Sequence, residues 1–302
     1  MIGYLGIDIG GTKVALRYED DLRVPREASH PWPDSEYAAQ DLCLLARWAG
    51  ELVDPSCEPI TSVGVALPAT VDPAGAVVAW PSRPSWVGLD VEAALRSLFP
   101  DVPMCFADDG ELAALAEARE ANCADVVYLG VGTGVGGGIV LDGRLWPGFA
   151  RASCELGHMV VDMFGAMCNC GRRGCVQAVA SGPATLRWAA RTRGTDVSSD
   201  DLREALGMGE QWAVSAIERS CAALAAAIVS AGELYHPSLV LVGGGFATAM
   251  PGFVDTVADQ VSRLARPGHP PAPVRPAVLG GLSSLYGAVL AAREAVDVRA
   301  NP

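Results

Sequence analysis

The sequence predicts an α/β protein of two similar halves facing a cleft, and three observations carry that prediction. The chain has 302 residues, half of them hydrophobic, enough for two medium domains with a core each. A strand, Gly-rich turn, strand device occurs twice, in "YLGIDIGGTKVALRY" and again in "VVYLGVGTGVGGGIVLDGRLW". Segments of helical periodicity alternate with short apolar runs, the pattern of strands joined by helices. Ligand sites in such architectures lie at strand ends.

Taken in order, the alternation on either side of Gly10-Gly11 reads as a β-hairpin whose glycines are expected to supply a positive φ. An amphipathic helix follows over residues 37–53, with Leu42, Leu45, Ala49 and Val53 on one face and Ser35 as an available cap. "ITSVGVALP" reads as a buried strand, "WPSRPSWVG" as an irregular loop, "VPMCFA" as a strand, and "GELAALAEAREA" as a helix starting just after Asp108 and Asp109. The second half begins near Asp125 and repeats the opening, with a tight Asp142-Gly143 turn before a further strand. Helices over 183–193 and 211–235, the strand "SLVLV", a turn at Gly243–Gly245 and a final helix over 283–296 complete the chain.

Composition removes several function classes. A formal charge of -13 and a pI near 4.7 argue against nucleic-acid or anionic-membrane partners, which require a basic face. The start of the chain lacks the basic and apolar regions of a secretion signal, and "CAALAAAIVSAGELY" is too short and interrupted for a bilayer span, so a cytoplasmic protein is expected. Of nine cysteines, Cys43, Cys57, Cys105 and Cys123 fall singly beside apolar segments and are expected to be core thiols. One lysine against twenty-one arginines reads as the coding bias of a GC-rich genome.

Local devices carry the chemistry. Three Gly-rich turns, "DIGGTK", "GTGVGGG" and "VGGG", let backbone N–H groups approach a phosphate, or serve as ordinary turns. None fits the Walker or dinucleotide patterns. Of the pair Asp108-Asp109, one is expected to cap the helix, leaving the other to accept a hydroxyl proton in phosphoryl transfer. Asp8, beside the first turn, is placed to orient Mg²⁺ or its water ligands. His158, Cys168, Cys170 and Cys175 have the spacing of a closed four-ligand zinc site, structural rather than catalytic. That site would hold Glu155 rigidly.

These residues resemble the ROK group of sugar kinases within the hexokinase, Hsp70 and actin superfamily, over essentially the whole chain. "DIGGTK" (Asp8, Gly10, Gly11, Thr12, Lys13) looks like the first phosphate motif, "GTGVGGG" (Gly132, Thr133, Gly134) the second, and "LVLVGGG" (Gly243, Gly244, Gly245) the adenosine-side motif. "CELGHM" with "CNCGRRGCVQ" looks like the zinc signature. The resemblance implies two ribonuclease-H-like lobes with mixed sheets around a central cleft, residues 1–122 plus 285–302 and residues 123–284, the second carrying the zinc loop. It implies ATP, Mg²⁺ and structural Zn²⁺ as cofactors and a homodimer or homotetramer. The absence of a leading helix-turn-helix points to the kinase branch rather than the repressors.

By the same resemblance Asp109 is the catalytic base. Asp108 stands at a sugar-binding Asn, Glu111 at a second Asn, Glu155 at a sugar-binding Glu, and His158 at the zinc ligand whose free ring edge borders the sugar. Gln177 replaces a Glu that contacts hydroxyls near the anomeric carbon, Ala69 a Gly, and Ser82 an Asn. Exchanging donors and acceptors at such points alters which hydroxyls a site accepts. The expected acceptor is therefore a hexose-like polyol other than glucose, phosphorylated at its primary hydroxyl, with a seven-carbon cyclitol of antibiotic biosynthesis as the candidate. An ordinary glucokinase or hexokinase, and a sugar sensor without turnover, are the alternatives. Lys13 is expected to be a compact cation beside the phosphate.

Overall fold

The computed structural model describes residues 2–20, 24–53, 57–72, 74–80, 82–148 and 153–300; Pro81, in the loop quoted above, lies outside them. In chain order the elements are β1 (Gly3–Ile9), β2 (Lys13–Asp20), β3 (Arg26–Pro31), α1 (Ala38–Leu52), β4 (Ile60–Ala66), β5 (Thr70–Val71), β6 (Val77–Ala79), α2 (Val91–Leu98), β7 (Met104–Ala107) and α3 (Asp109–Glu120). There follow β8 (Val126–Val131), β9 (Val135–Leu141), β10 (Arg144–Trp146), α4 (Val176–Ala180), α5 (Gly182–Arg193), α6 (Ser199–Gly207), α7 (Gln211–Tyr235), β11 (Leu239–Gly243), α8 (Gly245–Ala249), α9 (Phe253–Arg263), β12 (Val274–Pro276) and α10 (Ser283–Ala300). The chain forms two compact units, Met1–Ala116 with Leu282–Pro302, and Glu117–Gly281. This is the α/β class with two five-stranded mixed sheets.

The first unit's sheet has the order β3-β2-β1-β4-β7, antiparallel across its first three strands and parallel from β1 to β7. Alternation along β1 sorts its side chains, since successive residues face opposite sides. Leu5, Ile7 and Ile9 enter a core with Leu45, Trp48 and Ala49 of α1. Tyr4, Gly6 and Asp8 take the other face, where Tyr4 packs with Val289 and Ala292 of α10. That helix lies almost on the backbone of the sheet. A Cβ at Gly64 would collide with the Ala288 carbonyl, and one at Gly6 with Val289.

The second unit repeats the plan in the order β10-β9-β8-β11-β12, again with three antiparallel strands followed by parallel ones. Asp142 and Gly143 both have positive φ in the β9-β10 turn, as the Asp-Gly pair leads one to expect. All of β11 is buried, and Ala213, Ala216, Ile217, Leu224 and Ile228 of α7 fill the core beside it. By length and composition α7 could cross a membrane, contrary to the reading of its apolar stretch as too short. Its most apolar window is 56% buried within the fold, which makes it a core helix.

Three sequence expectations are corrected. Tyr37 occupies the N-cap of α1 without a side-chain bond, while the Ser35 hydroxyl donates to the Pro33 carbonyl. Cys43 is exposed and Cys57, Cys105 and Cys123 are only half-buried; Cys221 of α7 is a fully buried isolated thiol. Proximity to an apolar run does not decide which face a residue takes. Residues 91–98, 199–207 and 253–263 form helices the sequence reading left unassigned.

The Gly64 contact yields a direct test. Gly64→Ala forces a methyl into the Ala288 carbonyl and should lower unfolding stability by about 1–3 kcal/mol, measured by denaturant titration, with Gly50→Ala, on the open side of α1, as a control that does not destabilise.

Candidate functional site

The β1-β2 turn is shaped by close approach, not by a left-handed backbone. Gly10 and Gly11 are absent from the positive-φ glycines, which corrects the hairpin expectation. A Cβ at Gly11 would instead collide with the Ser82 side chain, and one at Gly10 would lie 3.0 Å from the Lys13 carbonyl. Trp32, just beyond β3, fixes the turn from below. Its indole N–H donates to the Gly10 carbonyl at 2.9 Å and its backbone N–H to the Thr12 carbonyl at 2.9 Å. Carbonyls held in this way do not compete for an anion approaching the exposed Thr12 and Lys13.

Asp8 pairs with Ala15 across the hairpin, so Asp8, Ala15 and Lys13 share one face. The Ser284 hydroxyl at the start of α10 donates to Asp8 Oδ2 at 2.6 Å. Burial pushes the Asp8 carboxyl up to about 6; the Ser284 bond opposes that rise, the neighbouring Asp109 carboxylate adds to it, and the Lys13 charge offsets part of it. At the end of β7 the acidic pair divides its work. Asp108 is the cap of α3, its Oδ1 accepting the Gly110 N–H at 2.9 Å, in the manner of an N-cap carboxylate. Asp109, the first residue of α3, is left for other chemistry. Burial raises its carboxyl above the ordinary carboxylate range, against a hydrogen bond from the Gly110 N–H and a proton shared with the Asp108 carboxyl. A raised carboxylate base is better matched to a hydroxyl proton near neutral pH. Glu111 is buried one turn on, and half-buried Ala69 packs against the first unit's core after β4.

The second unit carries a hairpin of related design. Gly132 donates to the Gly134 carbonyl at 2.9 Å, and its own carbonyl accepts the Gly182 N–H at 2.8 Å from the start of α5. Gln177 of α4 reaches under the turn, with Oε1 accepting the Val135 N–H at 3.1 Å and lying 2.7 Å from a Cβ placed on Gly134. Thr133 sits between those glycines. After β11, Gly243 packs on Tyr128, and Gly244 has φ of 90° in backbone contact with Val131. Side chains larger than hydrogen would open this turn, and Gly245 follows as the first residue of α8.

His158, Cys168, Cys170 and Cys175 converge with all four ligand atoms within 4.8 Å of one another. Cys168 Sγ lies 3.6 Å from His158 Nδ1, and Cys170 Sγ lies 3.7 Å from Cys175 Sγ. Tetrahedral zinc with bonds of about 2.0–2.3 Å has ligand edges of about 3.6–3.8 Å, so the donor set fits that ion. The geometry leaves His158 Nε2 facing Glu155, whose Oε2 is 3.9 Å away. Glu155 Oε1 accepts from the Ser153 hydroxyl at 3.0 Å, and its side chain is 65% exposed, available to a ligand rather than spent inside the loop.

The sequence reading missed Ser284 and Trp32. Ser284 is 276 residues from Asp8 and sits in an unremarked helix start; no local pattern announces it. Trp32 offered one signal, an indole in a Pro-flanked stretch after an edge strand.

Comparison with known proteins agrees with this geometry. A profile of the ROK family matches residues 4–295. A kanosamine kinase of Amycolatopsis mediterranei (strain S699) is 51% identical over 286 residues, 95% of this chain and 94% of that protein. The fold is similar to the crystal structure of a ROK hexokinase from Thermus thermophilus, with a TM-score of 0.88 and 28% identity over 98% of this chain and 99% of that one. It is also similar to a ROK family glucokinase from Streptomyces griseus in complex with glucose and AMPPNP, with a TM-score of 0.76 and 26% identity over 97% and 99% of the two chains.

The raised Asp8 carboxyl makes a prediction about the metal-free protein. An acid whose folded pKa lies near 6, above its ordinary value of 3.8, favours the fold when protonated. That contribution is complete below about pH 4 and is lost as pH rises through 6. Asp8→Asn should therefore raise the melting temperature at pH 8 in EDTA and leave it nearly unchanged at pH 4, with a difference of up to about 3 kcal/mol for a shift of this size. Equal effects at the two pH values would contradict the assignment.

Proposed function

The chain belongs to the ROK family of sugar kinases, and from that premise we propose that it moves the γ-phosphate of ATP to the primary hydroxyl of an amino sugar of the kanosamine type. The observation that carries the reading is Asp109, a buried carboxylate that opens α3 at the end of β7. In the proposed reaction the acceptor hydroxyl gives its proton to Asp109, its oxygen bonds to the γ-phosphorus, and the bond to the ADP oxygen breaks. The turn at Gly10, Gly11 and Thr12, with Lys13, holds phosphate oxygens in the first unit; the Gly132–Gly134 hairpin and the Gly243–Gly245 turn are the nucleotide-side elements of the second. Asp8 is the residue that orients Mg²⁺, an ion that neutralises charge on the phosphates when bound. Such work belongs to the cytoplasm, where ATP is made and thiols stay reduced.

The amino-sugar assignment rests on the 51% identical kanosamine kinase and on the character of Asp108. Capping requires an acceptor oxygen, which Asn would supply as well as Asp. An acid at this place suits an ammonium group where an amide would suit a neutral hydroxyl. Glu155 and His158 are the second unit's acceptor-side residues in this reading. Ser82 and Ala69 are those of the first. Gln177 supports the Gly132–Gly134 hairpin within the second unit.

ADP release with MgATP over kanosamine, glucosamine, glucose, N-acetylmannosamine and a seven-carbon cyclitol tests the proposal. Kanosamine should give the highest kcat/KM. Preference for glucose would favour an ordinary glucokinase, preference for the cyclitol would restore the acceptor anticipated from the sequence, and turnover of none would leave a sugar sensor. Asp109→Asn should lower kcat by about 10²- to 10⁴-fold with binding of MgATP retained. In the parent, kcat/KM should fall on the acid side with an apparent pKa above that of a free carboxylate, because Asp109 must be ionised to accept the proton.

His158, Cys168, Cys170 and Cys175 would hold structural zinc, which closes the loop carrying Glu155. Metal analysis should find about one zinc per chain. Cys168→Ser should lose it with a fall in melting temperature; full activity in a preparation lacking zinc would count against the site.

A further inference from the structure

Beneath the loop that carries Ser82 lies a buried ion pair. Asp41 of α1 is 0% exposed and Arg83 is 8% exposed. Arg83 Nη2 donates to Asp41 Oδ2, and the same oxygen accepts the indole N–H of Trp86 at 2.7 Å. The guanidinium lies over the Trp32 ring, 5.0 Å from its centroid. Trp86 packs edge-on against both Trp80 and Trp32, at 5.1 and 6.4 Å between centroids.

The pair is poorly made as a stabiliser. Asp41 Oδ1 and Arg83 Nε are both buried without a hydrogen-bond partner. Burying two charges exacts a desolvation penalty that only complete hydrogen bonding offsets, and apolar residues of similar volume usually hold a core as well or better. What an apolar cluster lacks is direction. Arg83 is adjacent to Ser82, whose side chain lies against Gly11 of the phosphate turn. Trp32, stacked under Arg83, is the residue that binds the Gly10 and Thr12 carbonyls. One cluster therefore holds the turn through Trp32 and the Ser82 loop through Arg83.

We infer that Asp41 and Arg83 are positioning residues for phosphoryl transfer: their ion pair fixes the 82–86 loop over the Gly10–Thr12 turn and so sets where the acceptor sugar sits. This rests on the kinase reading above. The turn keeps both of its bonds to Trp32 when the pair is removed, so the effect falls on the acceptor and not on the nucleotide. A displacement on the order of 1 Å at such a site reduces turnover up to about 10²-fold.

The test compares the parent with Asp41→Leu/Arg83→Met, Arg83→Lys and Ser82→Ala, measuring melting temperature, KM for MgATP, KM and kcat for the sugar the parent uses best, and amide hydrogen exchange. The double variant should fold, with a melting temperature lowered only modestly by the buried Trp86 N–H it leaves without an acceptor. Its KM for the sugar should rise about tenfold, with KM for MgATP changed less than about twofold, and amides of residues 82–88 should exchange faster while those of β1 do not. Ser82→Ala should shift the sugar KM in the same direction without changing exchange. If the double variant does not fold, Arg83→Lys decides, since it keeps the charge but loses the planar fork and the ring stacking; it should raise the sugar KM with stability near that of the parent. Unchanged sugar KM and unchanged exchange in a folded variant would overturn the inference. If the parent phosphorylates no sugar, the kinase reading has failed, and the exchange measurement alone decides whether the pair tethers the loop.

Discussion

The first unit depends on how closely α10 can approach its sheet. Gly6 and Gly64 remove the side chains that would hold the helix away, and Gly287 does the same between α10 and the Leu112 carbonyl of α3. At that separation Ser284 reaches Asp8, and the start of α3 presents Asp109 close enough to Asp8 for each charge to be felt by the other. A helix one side chain farther out would still bury Tyr4 and Val289, but it would leave Asp8 without its hydroxyl partner. Packing geometry and carboxylate chemistry are one constraint here, because burial raises the pKa and the same packing supplies the bond that limits the rise.

The two Gly-rich hairpins share a structural logic below the level of their glycines. Each turn is backed by one polar side chain from elsewhere in its own unit, Ser82 against Gly11 and Gln177 against Gly134. Gln177 also accepts the Val135 N–H. A carboxylate could accept that bond too, but would place a negative charge at the root of a turn proposed above to face the nucleotide. The amide supports the backbone without that repulsion. The duplicated strand order of the sheets explains why both hairpins occupy the same position, at the junction of the two antiparallel strands that precede a parallel neighbour.

Much of this was legible in the sequence where the signal is local. The hairpins, α7, the four-ligand spacing and the presence of one capping carboxylate in the Asp108-Asp109 pair follow from residue type and short separations. What the sequence hid depends on distance along the chain. Ser284 meets Asp8 across 276 residues, and Arg83 meets Asp41 across 42; periodicity says nothing about either meeting. Gly10 and Gly11 show a subtler limit. Their presence was read as a demand for positive φ, and the demand is for room, against Ser82 and the Lys13 carbonyl. Composition marks where a side chain is excluded and leaves open what excludes it.

Lys13 joins these lines of argument. In a chain with a net charge of -13 and twenty-one arginines, the cation that starts β2 on the Asp8 face of the hairpin is the single lysine. An arginine there would bring a planar fork with five donors, suited to bidentate pairing with a carboxylate. Asp8 is within its electrical neighbourhood, and pairing with it would withdraw the cation from the phosphate of the proposed reaction and the carboxylate from its own task. Lysine is a compact, strongly hydrated point charge. It offsets part of the rise in the Asp8 carboxyl without forming a side-chain ion pair among the described residues, and its exposed position at the start of β2 keeps the ammonium beside the turn. The rarity of lysine is a matter of composition; in the proposed reaction its place here suits a cation that attracts phosphate and does not clamp the Asp8 carboxylate next to it.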